Sequence, residues 1–183
     1  RNMREHQYVI GTGFFNRLGT RGDTLASFYQ LWLENTMKYA DPFVIYVLAQ
    51  GDGMVPKDRF GLKLPRKPHV VNWIDVLGDL GHCHQVISGE KPYHFCGGTA
   101  IWMALATLAY LNESDFIYKE QDALMFGDCV GTMYREIGTK GCIFGSQRCM
   151  PSANSLFLVR HAFIPEFVRL YLGTPRENDP SQI

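Results

Sequence analysis

No apolar run in this 183-residue chain is long enough to cross a bilayer. The longest, Ala100 to Leu111, falls well short of the ~20 residues a membrane helix needs. Neither charge is in excess, with 18 basic and 18 acidic side chains. No general field therefore draws the chain to nucleic acid or an anionic membrane, and any affinity for phosphate must come from a local site. The five cysteines, Cys83, Cys96, Cys129, Cys142 and Cys149, are odd in number and contain no C-x-x-C pair. That pattern supports neither a zinc ribbon nor a disulfide scaffold, and free buried thiols are expected. A P-loop is excluded, because G-x-x-x-x-G-K-[ST] does not occur. The dinucleotide fingerprint is incomplete, since Asn16 stands where Gly11-x-Gly13 would need its third glycine. There is no internal repeat, low-complexity segment or signal-peptide pattern. The chain opens at Arg1 without an initiator Met. The expectation is a cytoplasmic location, with a trimmed N-terminal anchor left open.

What is present reads as a folded domain. The chain is 46% hydrophobic and 20% charged, ordinary values for one domain spanning residues 1–183. His6 to Ile10 predicts a first strand, stopped by Gly11-Thr12-Gly13, and Phe14 to Gly22 predicts a loop carrying Arg17 and Arg21. Asp23 can cap the helix that follows, whose apolar positions are Leu25, Phe28, Leu31, Trp32 and Met37. Phe43 to Ala49 predicts a strand buried on both faces, ending in the sharp turn Gln50-Gly51-Asp52-Gly53. Pro56 to Pro68 predicts an irregular excursion and Val70 to Ile74 a third strand. Gly97-Gly98-Thr99 opens a helix that is apolar all round and so expected to be buried, with Thr99 as its cap. Phe116 to Lys119 and Ser155 to Val159 predict strands, and Pro165 to Leu172 a helix with proline in its first turn. Strands alternating with helices predict an α/β fold, a mostly parallel sheet covered on both faces. Ligands of such sheets collect at the carboxyl ends of strands.

The most informative segment is Phe116-Ile-Tyr-Lys-Glu-Gln-Asp122, a buried strand ending in two carboxylates at alternate positions. One intervening residue lets Glu120 and Asp122 reach the same side of an extended chain. Carboxylates so close repel unless a cation or shared proton compensates. Their oxygens suit Mg²⁺ or Mn²⁺, which take one or two protein carboxylates plus substrate phosphates.

The succession of helix, short turn, Phe116-Ile117-Tyr118, Glu120-Gln121-Asp122 and Ala123-Leu124 resembles the region around the acidic DxD motif of GT-A glycosyltransferases. Glu replaces the first Asp. The resemblance extends, as an order of elements, to the opening strand with Gly11-Thr12-Gly13, to Gln50-Gly51-Asp52, and to Gly145-Ser146 with the strand Ser155–Val159. It implies a Rossmann-like GT-A core and transfer of a sugar from a nucleoside diphosphate sugar to a glycan, protein or small-molecule acceptor. It implies Asp122 as a direct ligand of Mn²⁺ or Mg²⁺, and Glu120 facing the donor ribose or the metal's water shell. Gly11, Thr12, Gly13 and Asp52 would hold the nucleoside. Gly97, Gly98 and Thr99 would let backbone approach the donor, their helix N-terminus favouring phosphate oxygens. Arg17 and Arg21 are candidate phosphate or base contacts. A general base on the acceptor side is expected at Glu177 or Asp179, with Glu166 and Asp128 in reserve. A third metal ligand or the true base could follow residue 183, so the core is expected to be truncated at its C-terminus.

Other constellations compete. His82 and His84 could share a zinc site on a strand while Cys83 could not. A Cys–His nucleophile pair finds no supporting motif, and His161 stands alone after its strand. A sugar-phosphate nucleotidyltransferase would use a similar sheet, but Gly11 to Gly22 contains no lysine. A non-catalytic nucleotide- or carbohydrate-binding module is the third reading.

Overall fold

The computed structural model describes residues 7–16, 22–51, 70–75, 97–147 and 150–173. The elements are β1 (Tyr8–Asn16), α1 (Gly22–Tyr39), β2 (Val44–Gly51), β3 (Val70–Asp75), α2 (Gly97–Leu111) and β4 (Asp115–Lys119). They continue with α3 (Cys129–Ile137), β5 (Cys142–Gln147), β6 (Met150–Val159), a 3-10 turn (His161–Phe163) and α4 (Ile164–Gly173). One six-stranded sheet runs in the order β3-β2-β1-β4-β6-β5. The first four of these strands are mutually parallel, and β6 runs antiparallel to both β4 and β5. The expected mostly parallel mixed sheet is the one observed.

Strand alternation divides the core in two. Val9, Val44, Tyr46, Leu48, Phe116, Tyr118, Phe157 and Val159 share one cluster with Ile101 and Leu105 of α2 and Phe167 of α4. Their chain neighbours Ile10, Ile45, Ile117 and Leu158 share the other with Trp32 and Leu33 of α1 and Val130, Met133 and Ile137 of α3. Val44 through Leu48 are consecutively buried, the signature of a strand covered on both faces.

Several boundaries differ from the sequence reading. β1 does not stop at Gly11-Thr12-Gly13 but continues through them to Asn16, because β2 is long enough to pair Asn16 with Gly51. α2 begins at Gly97, so Thr99 lies inside the first turn rather than capping it. α2 is not buried all round either: Tyr110 and Leu111, near its C-terminus, are exposed. The buried face of α1 runs through Tyr29, Trp32, Leu33, Asn35 and Thr36, leaving Phe28 and Leu31 about half exposed. Polar side chains take those inward positions because each is hydrogen-bonded there. α3 and β5 were not anticipated. α3 is amphipathic through Val130, Met133 and Ile137. The Asp128 side chain accepts from Gly131 N at its start, and Gly138, with φ 53°, ends it. Arg17, Arg21, Asp52, His82, His84, Glu177 and Asp179 lie outside the described residues.

Candidate active site

The chain runs from β1 outward to β2 and β3, then returns to place β4 on the other side of β1. That reversal makes the β1/β4 boundary a topological switch point, where crevices open beyond the strand carboxyl ends. The pairing register shows how the opening forms. β1 and β4 pair only from Tyr8↔Asp115 to Gly11↔Tyr118. Beyond that point β1 stays with β2 to Asn16, whereas β4 leans on β6 through Lys119↔Leu156 and Glu120 N donating to Ser155 O at 2.7 Å. The two strands part, and Glu120-Gln121-Asp122 begins where they part.

The extended alternation expected for the triplet ends at Lys119. Ala123 N donates to Glu120 O at 3.0 Å, so Gln121 and Asp122 form the corners of a tight turn. Glu120 is half-buried and Asp122 exposed. This turn is tied to α1 by one face of that helix, at positions three residues apart. Tyr29 Oη donates to the Gly13 carbonyl and lies 3.2 Å from Gln121 Oε1. Trp32 Nε1 donates to Lys119 O at 3.2 Å. Asn35 Nδ2 donates to Met125 O at 2.9 Å, and Met125 N donates back to Asn35 Oδ1 at 2.8 Å.

Two titratable groups under this turn are perturbed by burial. Desolvation, then the fields of Tyr118 and Asp122, hold the Tyr29 phenol well above its ordinary range, so it stays a donor. Desolvation pushes the Lys119 ammonium down to about 7. Lys119 is fully buried and donates to Asn35 Oδ1 at 2.8 Å, Thr36 Oγ1 at 2.9 Å and Trp32 O at 3.3 Å. Its Nζ lies 4.9 Å from the centre of the Trp32 ring, a favourable cation–π placement.

The glycines of β1 have a packing role. A Cβ at Gly11 would lie 2.6 Å from Leu105 Cδ1, and one at Gly13 would lie 3.2 Å from Ile101 Cγ1. Helix α2 thus rests directly on β1, and these residues can offer a ligand only backbone. Thr12 is buried on the opposite, α1-facing side, its Oγ1 3.4 Å from Gly13 O. Leu105 stands over Gly11 and Ile101 over Gly13, so α2 runs antiparallel to β1. Four helical residues advance ~6 Å, as do two strand residues. Gly97 and Gly98, one helical turn before Ile101, therefore reach the carboxyl end of β1, beside the crevice.

Gly13 and the Glu120–Asp122 turn thus lie at the carboxyl ends of the adjacent strands β1 and β4, and α2 begins at the same end of the sheet on its other face. No group of three or more His, Cys, Asp or Glu side chains with metal-holding geometry occurs among the described residues. Glu120 and Asp122 supply hard oxygen donors, a set that fits a divalent cation completing its shell with water and phosphate. The reserve acids are occupied elsewhere. Arg135 bonds Asp128, which also caps α3, and Arg169 bonds Glu166; each arginine lowers its partner's carboxyl pKa. His161 stacks on Tyr110 with ring centroids 5.2 Å apart, and its backbone N donates to Asp115 Oδ1.

Sequence reasoning missed Tyr29, Asn35 and Lys119. The available signal was a helix whose 3.6-residue stripe through Tyr29, Trp32 and Thr36 carries polar groups, and a lysine that ends β4 directly after the apolar run Phe116–Tyr118.

No protein-family model matches the chain, and no curated protein matches it. Among solved structures, it is similar to a galactosyltransferase, LgtC, determined in complex with donor and acceptor sugar analogues. The superposition covers 88% of this chain and 59% of that one, with a TM-score of 0.51 and 12% identity. The chain therefore spans about three-fifths of that enzyme's length, and the likeness is one of fold. Its fold is that of a GT-A-like core, a single mixed α/β sheet flanked by helices.

Proposed function

We propose that the chain is the core of a glycosyltransferase that moves a sugar from a nucleoside diphosphate sugar to an acceptor, with Mn²⁺ or Mg²⁺. The observation that carries this reading is the Glu120–Asp122 turn at the switch-point crevice of a fold shared with a galactosyltransferase. Asp122 is assigned as the direct metal ligand, and Glu120 as a partner of the metal's water shell or of the donor ribose. A divalent cation bound there supplies Lewis acidity to the departing diphosphate. The chain's own residues bind and orient the donor. The backbone of Gly11 to Gly13, together with Asp52, is assigned to the nucleoside. Gly98 and Thr99, in the first turn of α2, direct N–H groups at phosphate oxygens. Glu177 and Asp179 are our candidates for the acceptor-side general base.

The test is transfer from a panel of nucleoside diphosphate sugars, with Asp122→Ala as the control. Loss of turnover with an unchanged melting temperature supports the assignment, and retained turnover overturns it. Pyrophosphate release from a nucleoside triphosphate and a sugar phosphate would identify a nucleotidyltransferase instead. Metal-dependent binding with neither transfer nor donor hydrolysis would identify a binding module.

A further inference from the structure

The six residues from Glu120 to Met125 leave β4 and return to the α1 face of the sheet. Both ends of this excursion meet at one side chain. Lys119, the residue before it, donates to Asn35 Oδ1, and Met125, its last residue, donates to the same oxygen while accepting from Asn35 Nδ2. The carboxylate pair therefore sits on a loop closed at its base through Lys119, Asn35 and Met125. The closure lies inside the core, since Lys119 and Met125 are almost fully buried. No carboxylate pairs with Lys119 among the described residues. Among the described residues its donors meet the uncharged oxygens of Trp32, Asn35 and Thr36.

A buried lysine without a counterion is costly in a core, and packing alone would favour an apolar residue there. Its chemistry explains the amide it meets. Lys119 Nζ donates to Asn35 Oδ1, so Asn35 points its oxygen, not its NH₂, toward the lysine. That orientation is the one that matches both backbone groups of Met125. A flipped Asn35 would set donor against donor at Lys119 and at Met125 N, and acceptor against acceptor at Met125 O.

We infer that Lys119 is a positioning residue for the acidic turn: through Asn35 it locks the base of the Glu120–Met125 loop and so holds Glu120 and Asp122 in register for a divalent cation and diphosphate. The part of this inference that concerns the cation and diphosphate rests on the proposed function; the closure of the loop does not.

The experiment separates the two. Amide hydrogen exchange is measured on the ligand-free wild type, Lys119→Met and Thr36→Val. Lys119→Met keeps the side chain's length, and Thr36→Val removes one acceptor of the lysine while keeping its shape. At least tenfold faster exchange at Met125 in Lys119→Met, with Ile117 in β4 unchanged, is expected. Thr36→Val should show a smaller change in the same direction, and it decides the question if Lys119→Met does not fold. Equal acceleration at Met125 and Ile117, or none at Met125, overturns the inference. The second arm titrates Mn²⁺ with the uridine, guanosine, adenosine and cytidine diphosphates. Lys119→Met should weaken metal-dependent binding at least tenfold, and unchanged affinity overturns the positioning role. If the wild type binds none of the four, the donor reading fails while the exchange data still decide whether Lys119 closes the loop.

Discussion

Placing α2 directly against β1 makes Gly11 a steric requirement that can be tested without knowing the substrate. Gly11→Ala adds one methyl whose carbon would stand 2.6 and 2.8 Å from the two Cδ atoms of Leu105. Leu105 is fully buried, so it cannot swing into solvent. Gly11 has no positive φ, so alanine suits the backbone and gains ~0.4–1 kcal/mol by restricting the unfolded chain. Overpacking a tight core costs ~1–3 kcal/mol. The net expectation is a loss of ~1–2 kcal/mol, the steric cost outweighing the entropic gain. Gly13→Ala, whose Cβ would meet Ile101 Cγ1 at 3.2 Å, needs a shift of only a few tenths of an ångström and should be near neutral. Urea unfolding, with the slope checked for constancy, reads all three proteins. The decisive step is the double-mutant cycle. In a Leu105→Ala background the clash is gone, so Gly11→Ala should be neutral or stabilising. A Gly11→Ala protein as stable as wild type, or a penalty that persists in the Leu105→Ala background, would refute the packing argument.

Other expectations concern pH and capping. The buried Lys119 ammonium titrates near 7 against ~10.4 unfolded, so between these values the unfolded chain binds more protons. Stability should then rise with pH from about 7 toward 10, by a few kcal/mol at most at ~1.36 kcal/mol per unit. Lys119→Met should flatten that rise in urea melts, and an unchanged slope would remove lysine as its source. Asp128 gives a slope of the same sign in a lower pH range. Its carboxyl is lowered first by Arg135 and then by Gly131 N, so its contribution is present above its unfolded pKa and is lost as pH falls below about 4. Asp128→Ala should cost ~1 kcal/mol as a lost helix cap near neutrality and less in acid, read as a converging pair of stability curves. A constant gap at every pH would contradict the assignment.

How far this fold could be read from sequence depends on where its signals lie along the chain. The β4 segment was legible because Phe116 to Tyr118 is an uninterrupted apolar run stopped by charge, a local pattern. β2 carries a similar run from Phe43 to Ala49, and β3 a shorter one, Val70 to Ile74, broken only by Asn72 and stopped by Asp75. β1 reads as ending at Ile10 because Gly11, Gly13 and the polar positions after them resemble a loop, whereas its last residues are held by β2, 35 residues away in the ladder. α3 was overlooked although Asp128, Val130, Met133 and Ile137 carry both a cap and a helical stripe. The inner face of α1 was placed too close to Phe28 and Leu31, because hydrophobicity was weighed without the partners that Asn35 and Thr36 find 83 to 90 residues later. The same separation hid Lys119. A lysine within a strand reads locally as an edge or an end, and only its three tertiary acceptors show why it is buried. At the site, residue types indicated where chemistry belongs, but the turn at Glu120 and its tether to α1 depend on contacts no local pattern encodes.

The central claim is that the Glu120–Asp122 turn holds a metal and, through it, a nucleoside diphosphate. Thermal unfolding with each of the four nucleoside diphosphates, with and without Mn²⁺, tests it most directly. A ligand at 100 times its dissociation constant adds ~2.7 kcal/mol, several degrees in melting temperature for a domain of this size. The account predicts a shift for at least one diphosphate that requires Mn²⁺ and vanishes in Asp122→Ala. A shift that is independent of the metal, or that survives in Asp122→Ala, would contradict it, as would no shift with any of the four.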